Sequence, residues 1–528
     1  MKNNSAQKMV QGATILTLTG IVAKVLSAVY KIPFQNLVGN VGFYVYQQVY
    51  PIYGIGMTIA LSGLPVFISH LVAQNDDQQL NRRLISDLQW ILTGLVLIIF
   101  IGLQLGDRTI AGWMGDWQLA PVIRAVSWMF LFTPFLATGR GYFQGTGNMY
   151  PTAYSQVVEQ VVRVTVILSV AVWAAKDHID PYIMGRNAML SAPIAAAFAT
   201  LIILLARNKL GSWPDNPPSN NGPRVAGLLK QTLLEGGTVC LVAAVMVLLQ
   251  LVDSFSVIKG LVGQGFSLNA AQNIKGAYDR GQTLVQFGLV LGTAATTSSL
   301  PLLTRFYQQT YQLSFARGAK TLAHVSIFLA VAVSAGMAAL MPQINLVLFA
   351  SHDQDFVLAV YGMSVIFATA LLVQNSILQS VGSFYPLMVG VLTGIAVKMV
   401  LTKPMVLGMG VLGASVSTIL SLVVMVLIAN WLGRRWLRFV FNFEKLGRLI
   451  VISLIMMLTV NGIANVLTIY LGTGRLMAIG ILLITVPIGV VEFLGLSYRA
   501  RLLTNREWLT IPFMKKILKR MGKRNATR

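Results

Sequence analysis

Acidic side chains are scarce in this sequence. Its 528 residues carry 17 Asp and Glu against 40 Lys and Arg, and charged residues make up only 11%, less than half of the roughly 25% usual in soluble chains. Cysteine is limited to Cys240, inside an apolar run, so no disulfide can form within the chain. The four histidines, His70, His178, His324 and His352, lie far apart and none has metal-ligand spacing. P-loop, HExxH and GxSxG motifs are absent. The string Gly408–Gly413 fits GxGxxG, yet it opens an apolar stretch with no strand before it, so it is a chance match. No cleavable leader is expected, since the apolar segment after Lys2 and Lys8 is much longer than a signal core.

Hydrophobic residues, by contrast, reach 55% and the mean hydropathy is +0.69. Disordered, collagen-like and nucleic-acid-binding classes fail on these numbers. Stretches of ~20 apolar residues, the length that spans a bilayer, occur near 10–30, 43–69, 84–106, 121–144, 151–175, 183–206, 228–253, 276–303, 318–341, 355–380, 383–402, 405–432, 447–470 and 476–497. The expected fold is an all-α polytopic membrane protein of about fourteen helices, with two pseudo-symmetric six-helix lobes and two C-terminal helices. The lobes are expected at 1–206 (spans 1–6) and 228–432 (spans 7–12), joined by a cytoplasmic linker, 207–227. Spans 13–14 follow at 433–497, and a basic cytoplasmic tail at 498–528.

An even span count puts both termini on one side. Segments on that side hold 26 Lys and Arg; the opposite segments hold five, Arg108, Lys176, Lys259, Lys403 and Arg475. The positive-inside rule therefore makes both termini cytoplasmic and accounts for most of the +23 net charge without nucleic acid. The tail, with ten cations and the single acid Glu507, reads as a topology anchor, the alternative being that it lies on anionic lipid.

Two patterns recur at nearly one offset. Ser62-Gly-Leu-Pro65 returns as Ser298-Ser-Leu-Pro301, and Gln144-x-x-Gly147-x-x-Tyr150-Pro151 returns as Gln379-x-x-Gly382-x-x-Tyr385-Pro386. By that offset Arg163 maps onto Lys398. The shift is six spans, an even number, so both copies enter the membrane in the same direction, a parallel repeat of the kind found in two-lobed transporters. Glycine pairs of GxxxG form at Gly141/Gly145, Gly288/Gly292 and Gly390/Gly394 are expected at close helix contacts, and Trp and Tyr at span ends.

Charges within spans usually face a bundle interior or a cavity. The deep set is Lys24, Lys31, Arg140, Glu159, Arg163, Glu235, Asp253, Asp279, Arg280 and Lys398. Arg124, Arg186 and Lys275 sit near span ends, where snorkelling accommodates them. Lys24 is far from either end of span 1, and Lys31 at i+7 shares its face. Were spans 1 and 8 to line one cavity, Lys24, Lys31 and Arg280 would converge with no acid on span 1 to neutralise them, an arrangement suited to a diphosphate. In the structural alternative Lys24 pairs with Glu235 or Asp253. Glu159 and Arg163 have i,i+4 spacing for a local pair; with Glu235, Asp253 and Lys398 they are the further candidates for a cavity or coupling role. Asp279 points elsewhere on its helix than Arg280 and is expected to be solvated.

The run Gly12-Ala-Thr-Ile-Leu-Thr-Leu-Thr with Lys24-Val-Leu-Ser-Ala-Val-Tyr-Lys31-Ile-Pro33 resembles the first span of the polysaccharide-biosynthesis flippases of the MOP exporter superfamily. Gly139-Arg-Gly-Tyr-Phe-Gln-Gly145, Pro151-Thr-Ala-Tyr-Ser-Gln-Val-Val-Glu-Gln160 with Arg163, and Tyr278-Asp-Arg-Gly-Gln282 resemble its MurJ-like, Gram-positive spore-cortex branch. The resemblance implies a monomeric flippase, not an enzyme, that carries an undecaprenyl-diphosphate-linked glycan, lipid II, to the outer leaflet by alternating access. It implies no cofactor; a monovalent cation or the membrane potential, which supplies ~2.3 kcal/mol per charge per 100 mV, would drive it. Lys24 stands where the family has a first-span arginine and Arg280 where it has an eighth-span arginine. Lysine at the first place lacks bidentate geometry. The family's second-span cation has no counterpart, since residues 43–69 hold no Lys or Arg, and Lys31 is the candidate to replace it.

Teichoic-acid and capsule precursors fit the same motifs. A multidrug or cation antiporter of the superfamily would need cavity carboxylates, for which Glu159, Glu235 and Asp253 are the candidates, and the cationic first span opposes it. A glycan polymerase or acyltransferase needs an acid or His as base; the longest outer segment, 254–275, has neither. The charge bias makes a direct prediction. A fluorescent protein fused after Arg528 should glow and alkaline phosphatase there should stay inactive; the reverse pattern would overturn the orientation.

Overall fold

A backbone crossing hydrocarbon must satisfy its own polar groups, which long apolar runs achieve as helices. The computed structural model describes residues 19–20, 22–23, 25–74, 77–209, 222–309, 311–437 and 443–510, and among them no strand occurs. In chain order the helices begin with α1 (Lys31–Met57), α2 (Leu64–Ala73), α3 (Gln78–Leu105), α4 (Asp107–Trp113), α5 (Ala120–Ser127), α6 (Thr133–Gly145), α7 (Tyr150–Lys176), α8 (Pro181–Met189) and α9 (Ser191–Asn208). Then come α10 (Gly222–Gln231), α11 (Gly237–Ala243), α12 (Val245–Gly263), α13 (Leu268–Gln308), α14 (Gln312–Ala339), α15 (Met341–Phe349), α16 (Asp355–Gly362) and α17 (Ser364–Ser380). The last are α18 (Tyr385–Met409), α19 (Val411–Leu432), α20 (Arg434–Leu437), α21 (Phe443–Leu471), α22 (Arg475–Arg499) and α23 (Asn505–Thr510).

Thirteen helical stretches among the described residues are long and apolar enough to cross a membrane, in keeping with an all-α polytopic protein of about fourteen helices. The differences from the sequence reading have local causes. Spans 1 and 2 join without a loop, and the chain turns at Gly39, whose φ of 69° suits only glycine well. Span 7 is broken at Ala244, where α11 ends and α12 begins. Helix α13 is the helix of span 8, but at 41 residues it is about 60 Å long, twice the hydrocarbon thickness. It is also the most polar long helix, with Gln272, Lys275, Asp279, Gln282 and Gln286 along one stripe at alternating spacings of three and four.

Packing groups the residues into two compact units, Met1–Asp279 with Ile395–Ala414, and Arg280–Gly394 with Ser415–Arg528. In the first, Leu64, Phe67, Ile68 and Leu71 of α2 form a core with Leu88 and Leu92 of α3, Phe143 of α6, and Ala199 and Ile203 of α9. Lipid tails are as apolar as leucine, so helix association here depends on close packing rather than on escape from water. The glycine pairs supply that closeness. A Cβ at Gly141 would lie 2.6 Å from the Ile68 side chain, and one at Gly145 2.6 Å from Val72. In the second unit Gly288 and Gly292 face Val365 and Thr369, and Gly390 and Gly394 face α19 at Met425.

The internal repeat is visible in the backbone. Gly147 and Gly382 adopt φ of 78° and 71°, each between two helices, and Pro151 and Pro386 are the second residues of the helices that follow, α7 and α18, where a missing N–H goes unnoticed.

In the second unit Phe328 of α14, Met456 and Val460 of α21, Ile481 and Phe493 of α22, and Trp508 of α23 form the core. Leu502, Leu503 and Trp508, at the start of the basic tail, belong to this core. Thr504 and Glu507 make a capping box: the Glu507 carboxylate accepts from the Thr504 backbone N–H at 2.7 Å and its hydroxyl at 2.9 Å. It also meets Nδ1 of His324 at 2.8 Å, and since a carboxylate only accepts, Nδ1 carries the proton. Burial pushes the Glu507 carboxyl up, but these donors outweigh it and hold its pKa at about 2.

Gly141→Val should destabilise the first unit by about 1–3 kcal/mol through overpacking, read as a lowered melting temperature in detergent. Because the Glu507 pKa is depressed, its contribution is complete above the unfolded value of 4.5 and fades as pH falls toward 2. The melting-temperature gap between wild type and Glu507→Gln should follow that course, and a gap that grows with acid would contradict it.

Candidate functional site

A charge inside a bilayer needs a partner, so the question for each intramembrane cation is what compensates it. Lys24 lies outside the described residues. Arg140, Lys398 and Lys275, in the first unit, end on carboxylates. Arg140 of α6 is fully buried and reaches Glu159 of α7 at 2.6 Å, the Ser155 hydroxyl at 3.0 Å and the Ala60 carbonyl at 3.2 Å. Glu159 thus pairs with a residue 19 positions away, and the i,i+4 pair with Arg163 does not form. Lys398 of α18 meets Asp253 of α12 at 2.8 Å, both buried, and the Tyr278 hydroxyl donates to the same carboxylate at 3.2 Å. Lys275 and Asp279, one turn apart on α13, form a third buried pair. Two expectations are corrected here: Asp279 is not solvated, and Lys275 does not snorkel.

Lys31 and Arg163 are compensated differently. Both are fully buried in the first unit, and neither makes an ion pair with a carboxylate among the described residues. The Lys31 ammonium lies 4.0 Å from the centroid of the Tyr50 ring. The Arg163 guanidinium lies 4.6 Å from that of Tyr53 and 5.2 Å from that of Tyr30, and donates once to Gln160, at 2.7 Å. Its Nε and Nη1, the Tyr53 hydroxyl and both amide atoms of Gln47 are buried without hydrogen-bond partners among the described residues. Tyr46, Tyr50 and Tyr53 stack in sequence along α1, and the Tyr30 and Tyr46 hydroxyls share a hydrogen bond of 2.9 Å. Ring faces attract cations without quenching their charge as a carboxylate does. Neither charge is neutralised by a carboxylate among the described residues.

These tyrosines are exceptions to the expectation that Tyr lies mostly at span ends. The signal was present, since 46, 50 and 53 share one helical face, but tyrosine is common at interfaces and the stripe carried no charge. Asp116 was also missed. Buried, it accepts from Tyr44 at 3.0 Å, Tyr182 at 2.7 Å and Gln272 at 3.0 Å, which ties four segments of the first unit together.

Of the remaining candidates, Glu235 is exposed and its carboxylate accepts from Gln231 at 3.3 Å. Arg280 belongs to the second unit, where it is buried, donates to Asn345 Oδ1 at 3.2 Å, lies 5.4 Å from the centroid of the Phe349 ring and stands 3.9 Å from the exposed Asp353. Asn345 in turn donates to Asp355 at 2.6 Å and to the Asp353 carbonyl at 3.0 Å. Among the described residues no group of His, Cys, Asp and Glu could hold a metal ion.

Residues 9–307, more than half the chain, match the polysaccharide biosynthesis protein family. The chain belongs to that family. Over 97% of both chains it is 34% identical to the uncharacterized membrane protein YabM of Bacillus subtilis. It is 24% identical to the lipid II flippase MurJ of the same organism, over 94% of this chain and 96% of that one. Among solved structures, MurJ in an inward closed conformation aligns with 92% of this chain and 98% of its own at a TM-score of 0.69 and 12% identity. An inward-facing multidrug resistance MATE transporter of the MOP superfamily aligns with 78% and 94% at 0.61 and 12% identity. The fold expected from the motifs, that of the MOP exporters, is the fold found.

The two classes of cation should respond differently to mutation. Glu159→Ala strands the Arg140 charge and should lower stability by about 3–5 kcal/mol, whereas Arg163→Gln orphans no carboxylate and should lower it by much less. Equal losses in melting temperature would refute the distinction.

Proposed function

We propose that this family member translocates a lipid-linked oligosaccharide diphosphate, lipid II, from the inner to the outer leaflet of the bacterial plasma membrane by alternating access. It acts as a monomer with both termini in the cytoplasm, its lobes following the bounds 1–206 and 228–432. The observation that carries the reading is the state of Lys31 and Arg163, buried at membrane depth against tyrosine rings rather than carboxylates. Cations held in this way keep their attraction for phosphate oxygens. Lys24, Lys31 and Arg280 bind the diphosphate, and Arg163 reinforces the field around Lys31. The likeness to a lipid II flippase over nearly the whole chain supports the substrate class, and the family description, polysaccharide biosynthesis, supports transport of a glycan precursor. Membrane potential or a monovalent cation resets the cycle.

An antiporter for cationic drugs is disfavoured by two of the three candidate carboxylates. Glu159 and Asp253 are already engaged by Arg140 and Lys398, and breaking a buried pair to receive a drug costs several kcal/mol. A flippase for teichoic-acid or capsule precursors has the same diphosphate chemistry.

The test is complementation of a strain depleted of its lipid II flippase. Wild type should restore growth, and Lys24→Ala, Lys31→Ala and Arg280→Ala, expressed at equal levels, should each reduce rescue severely. Full rescue by all three would remove the binding proposal. Failure of well-expressed wild type, with rescue of a strain lacking a teichoic-acid precursor flippase, would move the assignment to that glycan.

A further inference from the structure

The second unit carries an open cleft of about 660 Å³, within the size range of ligand sites, that no step of transport uses. It lies where the C-terminal end of α13, the N-terminal end of α14 and the short helix α20 meet. Tyr307, Phe315 and Trp436 form its aromatic wall, with ring centroids 5.4 to 6.5 Å apart. Arg435 lines the same cleft with its guanidinium 4.9 Å from the centroid of the Trp436 ring, and Gln308 and Gln312 line it too.

Two further facts bear on what this cleft takes. Its wall is of the kind favoured at the boundary between hydrocarbon and headgroups, where Trp and Tyr concentrate because their rings are apolar and their N–H and O–H are not. The contributing segments are also basic without compensation: residues 300–320 and 431–443 hold Arg305, Arg317, Lys320, Arg434, Arg435 and Arg438 and not one Asp or Glu. Arg435 makes no ion pair among the described residues, and stacking on indole fixes its plane while leaving the N–H edge open to a bidentate acceptor.

We propose that this cleft binds the phosphodiester headgroup of an anionic membrane phospholipid. Arg435 forks the phosphate, the Gln308 and Gln312 amides complete its hydrogen bonds, and the glycerol and first acyl carbons lie on Tyr307, Phe315 and Trp436. Basic pockets between helices at the cytoplasmic level suit such headgroups, and the charge bias assigns these helix ends to that side. The site is separate from the residues proposed to bind the diphosphate and holds whichever glycan is carried.

Native mass spectrometry of the full-length protein, titrated with phosphatidylglycerol or phosphatidylcholine of the same acyl chains, tests it. Wild type should retain phosphatidylglycerol in preference, and Arg435→Gln should cut that preference roughly tenfold, the scale of a lost charge-assisted hydrogen bond. Trp436→Ala should weaken both lipids. Arg83→Gln, which removes an exposed cation of the first unit, should leave the preference intact, and melting temperatures confirm that each variant folds. Equal retention of the two lipids, or equal effects of Arg435→Gln and Arg83→Gln, would overturn the proposal. Displacement of phosphatidylglycerol by inorganic phosphate would make this a free-anion site, and displacement by undecaprenyl phosphate at equal concentration would make it a substrate site; either result would also overturn it.

Discussion

A charge cannot stand bare at membrane depth, and the way each intramembrane cation is compensated decides most of what this protein is. Arg140, Lys275 and Lys398 are neutralised by Glu159, Asp279 and Asp253. Such pairs gain little net energy over an apolar isostere, but each fixes one helix against another or one turn to the next. Lys31 and Arg163 have ring faces in place of acids. Seventeen acids against forty bases leave a chain in which some cations must find another partner, and Tyr30, Tyr50 and Tyr53 provide the ring faces that Lys31 and Arg163 use.

Close helix packing keeps these charges where they are. Water is not expelled when helices associate in lipid, so contact must come from shape, and glycine lets backbones approach. Gly141 and Gly145 set α6 against α2, which holds Arg140 within reach of the Ala60 carbonyl. The same logic appears in the second unit, where Gly390 and Gly394 admit Met425. The repeated Gly147 and Gly382 turns are each followed by a helix with proline near its start and a buried cation sixteen positions after the glycine, Arg163 and Lys398, and the two copies differ in charge compensation: one keeps its cation on aromatic rings, the other on Asp253. If Arg163 acts on substrate, Lys398 is its structural counterpart.

Much of the helical fold was legible in the sequence because hydropathy answers to a single physical demand, backbone satisfaction in hydrocarbon. The repeat and the GxxxG contacts were legible too, since each depends on residues close in sequence. The site was legible only in part. Spacing suggested Glu159 with Arg163, and the structure chose Arg140, where Ser155 and the Ala60 carbonyl complete the guanidinium's hydrogen bonds and make the longer-range pair the better one. Asp279 looked solvated because its neighbour in sequence is Arg280, yet one helical turn back Lys275 stands on its own face.

The sequence alone determined that the chain is built of about fourteen apolar helices suited to a bilayer and which of them carry charge, because those properties follow from local composition and from a backbone that must bond to itself. Tertiary structure decided which cation meets a carboxylate, which meets a ring and which faces a cleft. Those choices join residues tens to more than a hundred positions apart, such as Asp253 and Lys398, and a charge's partner is whatever the packing of distant helices brings within three or four ångströms.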